Sequence, residues 1–196
     1  MTPVVVLAGI VLVVLAPTMA GKAGSAIWLA GAAVLFGTSA LYHRGRWQPA
    51  AAAALRRIDH ANIFVFIAAT YTPLALVLLP SGEAVRLLTL IWTVAVVGLS
   101  VRVFWHTAPR WLDVACYLLM GWAGLAWLPA FWTNGSPVIV GLIGLGGLFY
   151  TIGAVIYGRK RPDPSPAWFG FHEVFHACTI AAALCHFAAI TLAVLG

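Results

Sequence analysis

His172 and His176 stand four residues apart in the run Phe171-His172-Glu173-Val174-Phe175-His176, at the start of the last apolar segment of the chain. On a helix such a pair lies about 40° apart around the axis and about 6 Å apart along it, so one metal ion fits between the two rings. Ionisable side chains where a chain enters a membrane are costly, and they mark function. Other polar residues stand at the ends of apolar runs: Ser39 and His43, again at i and i+4, then Asp59 and His60, then His106. Three neutral imidazoles are a typical catalytic zinc shell, which leaves a fourth position for water. Bound water then has a pKa near 7, and a carboxylate beside it takes or orients its proton. Asp59, one helix away at similar depth, is the best candidate for that carboxylate.

Each residue also has a plainer reading. Asp59 suits the N-cap of a helix. Ser39 suits a bond back to its own helix. His60 and His106 suit the membrane interface. His172-Glu173-x-x-His176 matches the zincin pattern with Glu173 as base, but no second acidic motif deep in a membrane segment supplies that site's third ligand. His186 shares a face with His172 but lies about 15 Å beyond His176 along the axis. It is read as a buried, hydrogen-bonded residue and not a ligand.

The elements that must position these residues follow from composition. The chain has 196 residues, 63% hydrophobic and 8% charged, against about 25% charged for a soluble domain. This is an all-α integral membrane protein, and its net charge of +6 does not call for nucleic acid. Spans need about 20 mostly apolar residues. The pattern predicts seven, at roughly 3–20, 24–42, 59–79, 85–105, 112–132, 137–157 and 170–195. They form one seven-transmembrane helix bundle over 1–196. The first is read as a span and not a signal peptide, because it lacks a basic leading region. Pro73 is expected to kink the third helix, with nearby threonines satisfying freed carbonyls. Gly141, Gly144, Gly146 and Gly147 suggest close helix contact in the sixth. Cys116, Cys178 and Cys185 lie in apolar segments and read as packing residues.

Orientation comes from the eleven Lys and Arg. Arg44, Arg46, Arg56, Arg57, Arg102, Arg110, Arg159, Lys160 and Arg161 fall on one side, and Lys22 and Arg86 on the other. That bias puts the N-terminus inside and the C-terminus outside, in a multi-pass protein of the plasma (inner) membrane. Five of the six histidines then gather at the cytoplasmic face. Trp47, Trp111, Trp132 and Trp168 sit near helix ends, where an aromatic belt belongs.

Several motifs in order carry a resemblance: Ser39-Ala-Leu-Tyr-His43, Arg57-Ile-Asp59-His60, Ala69-Thr-Tyr-Thr-Pro73, Tyr117-Leu-Leu-Met-Gly-Trp122, His172-Glu-Val-Phe-His176 and Cys185-His186-Phe187. Over nearly its whole length the chain resembles the hemolysin III family, the bacterial branch of the progestin and adiponectin receptor (PAQR) superfamily. The resemblance implies seven helices and a zinc held by His43, His172 and His176. It places Asp59 and Ser39 beside the metal-bound water. In the animal receptors the place of Glu173 is not acidic, which weakens the protease reading further. Family members usually carry a short polar segment before the first helix, whereas this chain begins almost inside that helix.

Superfamily members include ceramidases, so the resemblance implies membrane homeostasis and a candidate zinc-dependent hydrolase of a lipid amide or ester. The other readings are a non-enzymatic membrane sensor or receptor with a structural zinc, and a pore-forming cytolysin. For the last the sequence offers no separable amphipathic segment. Membrane lipids are the expected partners, one of them as substrate.

Overall fold

The structure is a computed structural model that describes residues 2–105, 110–166 and 168–196, without the side chains of Arg110 and Asp113. His106 therefore lies outside the described residues. The helices are α1 (Thr2–Leu15), α2 (Met19–Arg44), α3 (Pro49–Leu78), α4 (Ser81–Phe104), α5 (Arg110–Trp122), a 3-10 segment (Ala123–Trp127), α6 (Leu128–Asn134), α7 (Pro137–Arg159) and α8 (Phe171–Leu195). Six helical stretches are long and apolar enough to cross a membrane: α2, α3, α4, Val114–Asn134, α7 and α8. The protein is thus all-helical and multi-pass. α1 is apolar but has 14 residues, about 21 Å of helix against a hydrocarbon core of about 30 Å.

Three boundaries differ from the sequence pattern. The first break falls at 16–18 and not at 21–23, because Pro17 cannot continue a helix and Thr18 caps the next one, its Oγ1 accepting from Gly21 N–H at 3.0 Å. α3 starts ten residues before the expected 59. Pro49 takes the first helical position and a run of alanines follows, a strongly helix-forming sequence that is too polar at its far end to read as membrane. Asp59 and His60 are consequently interior residues of α3, and the N-cap is Gln48. The fifth expected helix is interrupted by the 3-10 segment ahead of Leu128-Pro129.

The chain forms two compact units, residues 1–107 with 193–196, and residues 108–192. In the first, α3 packs against both α2 and α4. α2 turns a face of small residues to α3: a Cβ built on Gly24 would lie 2.6 Å from the Pro73 Cα, and one on Gly31 2.6 Å from the Ala69 Cβ. The absence of side chains there lets the two backbones come together. Farther along, Asn62 Nδ2 of α3 donates to Thr38 Oγ1 of α2 at 2.9 Å. Trp92 Nε1 of α4 donates to Thr72 Oγ1 at 3.2 Å. Around Pro73, Thr70 and Thr72 donate to the carbonyls of Phe66 and Ala68, each at 2.8 Å. They flank the Ala69 carbonyl that the proline frees and do not reach it. Val194, at the tail of α8, lies against Gly21.

In the second unit α7 and α8 run antiparallel. Gly153 faces the Cys178 Cβ, Gly146 lies under the ring of His186, and Tyr157 packs against Phe175 at 5.0 Å between centroids with the rings tilted by 40°. Of the four glycines singled out by pattern, Gly146 and Gly147 meet neighbours, His186 and Trp122. A Cβ on Gly141 or Gly144 would meet nothing within 4 Å.

Candidate metal centre

α8 begins under unusual local control. Gly170 precedes its first residue, and the Glu173 carboxylate turns back to accept from Gly170 N–H at 2.9 Å. Asp163 Oδ1 accepts from Phe171 N–H, also at 2.9 Å. Two of the N–H groups that every helix start leaves unpaired are thus satisfied by carboxylates, which the helix dipole also favours there. Gly170 is needed for this, since a Cβ at that position would lie 2.7 Å from the Asp163 oxygen. The cap explains Glu173. Its carboxylate holds the helix start, so the zincin-like reading loses its base.

The first turn so fixed carries His172, and the next carries His176. Their rings cross at 89° with centroids 4.5 Å apart. The two Nε2 atoms are 3.0 Å apart. Two nitrogens at 2.0–2.1 Å from a tetrahedral zinc would be about 3.3 Å apart, so the pair fits a shared ion with a shift of a few tenths of an ångström. Cys178 is turned to Gly153 instead, and Cys116, Cys178 and Cys185 form no disulfide, in keeping with packing roles.

On the other helices, His43 lies in the last turn of α2, exposed, with its ring edge-on to Tyr42 at 4.7 Å. Ser39 is half-buried, one residue beyond the Thr38 that Asn62 holds. Asp59, also half-buried, precedes Asn62 by three residues. By helix geometry it therefore projects about 60° away from Asn62 and one turn nearer the start of α3. The Thr38–Asn62 bond fixes the register of α2 against α3 beside both residues. Sequence reading missed it, although a threonine and an asparagine in apolar helices are a usable signal. His60 bonds back to its own helix, with Nδ1 2.6 Å from the Arg56 carbonyl. His186 sits edge-on to Tyr150 at 5.6 Å and its ring is hydrogen-bonded to the Ile143 backbone, while its buried Nε2 has no hydrogen-bond partner among the described residues. The bond to Ile143 agrees with the expectation of a buried, hydrogen-bonded ring.

His172 and His176, both on α8, are a pair able to share one metal ion, each offering a single imidazole nitrogen. Neutral imidazoles are borderline donors that suit zinc.

These features define a multi-pass α-helical membrane protein with a converging histidine pair at the start of its last helix. The chain belongs to the haemolysin-III-related family, whose model matches residues 1–187. It is similar to the hemolysin-3 homolog of Bacillus subtilis (strain 168), 32% identical over 118 residues, which cover 60% of this chain and 55% of that protein. Hemolysin-3 of Bacillus cereus is 30% identical over 115 residues, 58% of this chain and 52% of the relative. The chain thus spans about half the length of these curated relatives. An ADIPOR-like receptor, IZH2 of Saccharomyces cerevisiae, is 43% identical over 47 residues, 21% of this chain and 15% of the receptor, which agrees with membership of the PAQR superfamily.

Proposed function

We propose that this protein is a zinc-dependent hydrolase of a lipid amide or ester in the plasma membrane, with the metal held by His43, His172 and His176. The observation that carries the reading is the His172–His176 pair, whose Nε2 atoms converge to 3.0 Å at a helix start pinned by two carboxylates. When bound, a zinc on three imidazoles supplies a Lewis acid and brings the pKa of a water beside it to about 7. Asp59 supplies the base: a carboxylate near a doubly charged ion in a low-dielectric site is strongly favoured, and it accepts the proton. Ser39, one turn before His43, helps to hold the aspartate or the water. The relatives' names, hemolysin and receptor-like, fit a protein that acts on or reports membrane composition. A bilayer protein with a capped, rigid metal-ligand turn is built for lipid carbonyls arriving from the side.

The test is Asp59→Asn. It is expected to keep the fold and about one zinc per chain while abolishing the change in lipid composition that the wild type produces in cells. Unchanged lipid profiles in the variant, with zinc retained in both, would move the assignment to a receptor in which zinc is a structural clamp.

The same reading places the site at the cytoplasmic side, with seven spans and α1 as the first. Support comes from the bias of basic residues, with only Lys22 and Arg86 on the minority side. A reporter after Gly196 is expected to read as extracytoplasmic and one within 45–48 as cytoplasmic. Both on one side would sink the topology.

A further inference from the structure

The loop between α7 and α8 has features that neither the metal group nor the fold requires. It joins two helices long and apolar enough to be spans, Pro137–Arg159 and Phe171–Leu195, so it lies at a membrane–water boundary. Its sequence, Arg161-Pro162-Asp163-Pro164-Ser165-Pro166, alternates proline with polar residues. Each proline fixes its φ and removes conformational freedom before any ligand arrives. The loop then closes on itself: Ser165 N–H donates to the Phe169 carbonyl at 3.1 Å, and Phe169 N–H to the Ser165 carbonyl at 2.8 Å. Inside this closed turn Trp168 stands 88% exposed, with Phe169 beside it at 48%. Trp47, in the α2–α3 connection, behaves differently. Its indole N–H is folded back onto the Leu41 carbonyl at 3.1 Å.

The same connection carries charge. Arg159, Lys160 and Arg161 are consecutive and all exposed. The acid of the loop, Asp163, accepts from Phe171 N–H. A hydrogen-bonded turn that presents an indole and a phenyl ring, in a connection that also carries three exposed cations, matches the headgroup region of an anionic leaflet, where rings sit at the interface and cations meet lipid phosphate.

We propose that residues 159–166 with Trp168 and Phe169 form a preorganised anchor for anionic phospholipid headgroups, with Trp168 and Phe169 inserted and Arg159, Lys160 and Arg161 on the phosphates. The anchor has a mechanical consequence. Asp163 ties it to Phe171, one residue before His172, so lipid contact and the first turn of α8 are held as one piece.

Lys160 gives a clean test, because it sits in the left-handed region at φ 55°. Glycine adopts that conformation without penalty, so Lys160→Gly removes a charge while easing the backbone. The full chain is placed in nanodiscs of phosphatidylcholine, alone or mixed with phosphatidylglycerol. Nine tryptophans are present, and subtracting the emission of Trp168→Phe from that of the wild type isolates Trp168. The expected difference spectrum is blue-shifted relative to an indole in water, and brominated phosphatidylglycerol quenches it more than brominated phosphatidylcholine. Lys160→Gly is expected to lower the preference for phosphatidylglycerol about fivefold, the effect of one basic residue at an anionic surface. A Trp168 signal that stays water-like and unquenched in both discs overturns the anchor. Equal quenching by the two lipids, or a preference unchanged in Lys160→Gly, overturns its anionic specificity.

Discussion

His176→Ala is expected to empty the metal centre. Wild-type protein purified without chelator should carry about one zinc per chain, and the variant only a small fraction of that. Structural zinc sites with four ligands bind with roughly 10–16 kcal/mol, so one ligand is worth about 3 kcal/mol, or about 150-fold in affinity. Removing one ring of the converging pair also leaves His172 Nε2 without its 3.0 Å neighbour. Stability should follow, because a ligand that binds only the folded state raises its melting temperature. Chelator is therefore expected to lower the melting temperature of the wild type and to leave that of His176→Ala unchanged. His60→Ala and His186→Ala are the controls. The first ring is bonded to its own helix, and the second is packed on Gly146 about 15 Å along α8 from His176. Both should retain zinc. Loss of metal from either, with retention in His176→Ala, would show that the ligands are assigned wrongly.

The histidine pair was legible because i, i+4 spacing on a helix leaves little choice about where two rings point. The membrane class was equally plain, since 63% hydrophobic residues cannot be hidden in a soluble chain of this length. What escaped was local. Asp59 read as the opening of a helix because hydropathy begins to rise there, but helix formation follows backbone propensity and not apolarity, and Pro49 with the alanines after it starts α3 ten residues sooner. Glu173 matched a catalytic pattern, and its role emerged only when Gly170 placed a backbone N–H within its reach. Asp163 lies eight residues before the N–H it caps, a separation that sequence periodicity cannot bridge.

Glycines show the same limit from the other side. A cluster in α7 drew notice by number, while the pair that matters most for packing in the first unit, Gly24 and Gly31, is spaced at seven residues and is diluted by alanines. Composition reports how many small residues a helix has. It does not report which of them faces a partner, and that depends on the register set by groups such as Thr38 and Asn62.

That register makes Gly24→Leu the second large effect. Its Cβ would stand 2.6 Å from the Pro73 Cα and 3.2 Å from the Pro73 nitrogen. These are backbone atoms of a residue whose ring fixes φ, so they cannot yield as a side-chain tip would. Overpacking ordinarily costs about 1–3 kcal/mol, and a clash with backbone belongs at or above the top of that range. By soluble-protein scaling, a change of about 3 kcal/mol in a chain of this size lowers the melting temperature by roughly 6–12 °C. Gly37→Leu, on the same helix, supplies the comparison. A Cβ there meets nothing within 4 Å, and leucine is the better helix former, so that variant is expected to melt at or slightly above the wild-type temperature. If both substitutions shifted melting equally, the close approach of α2 to α3 at Pro73 would be refuted, and with it the register that sets Ser39 and Asp59 beside the Thr38–Asn62 bond.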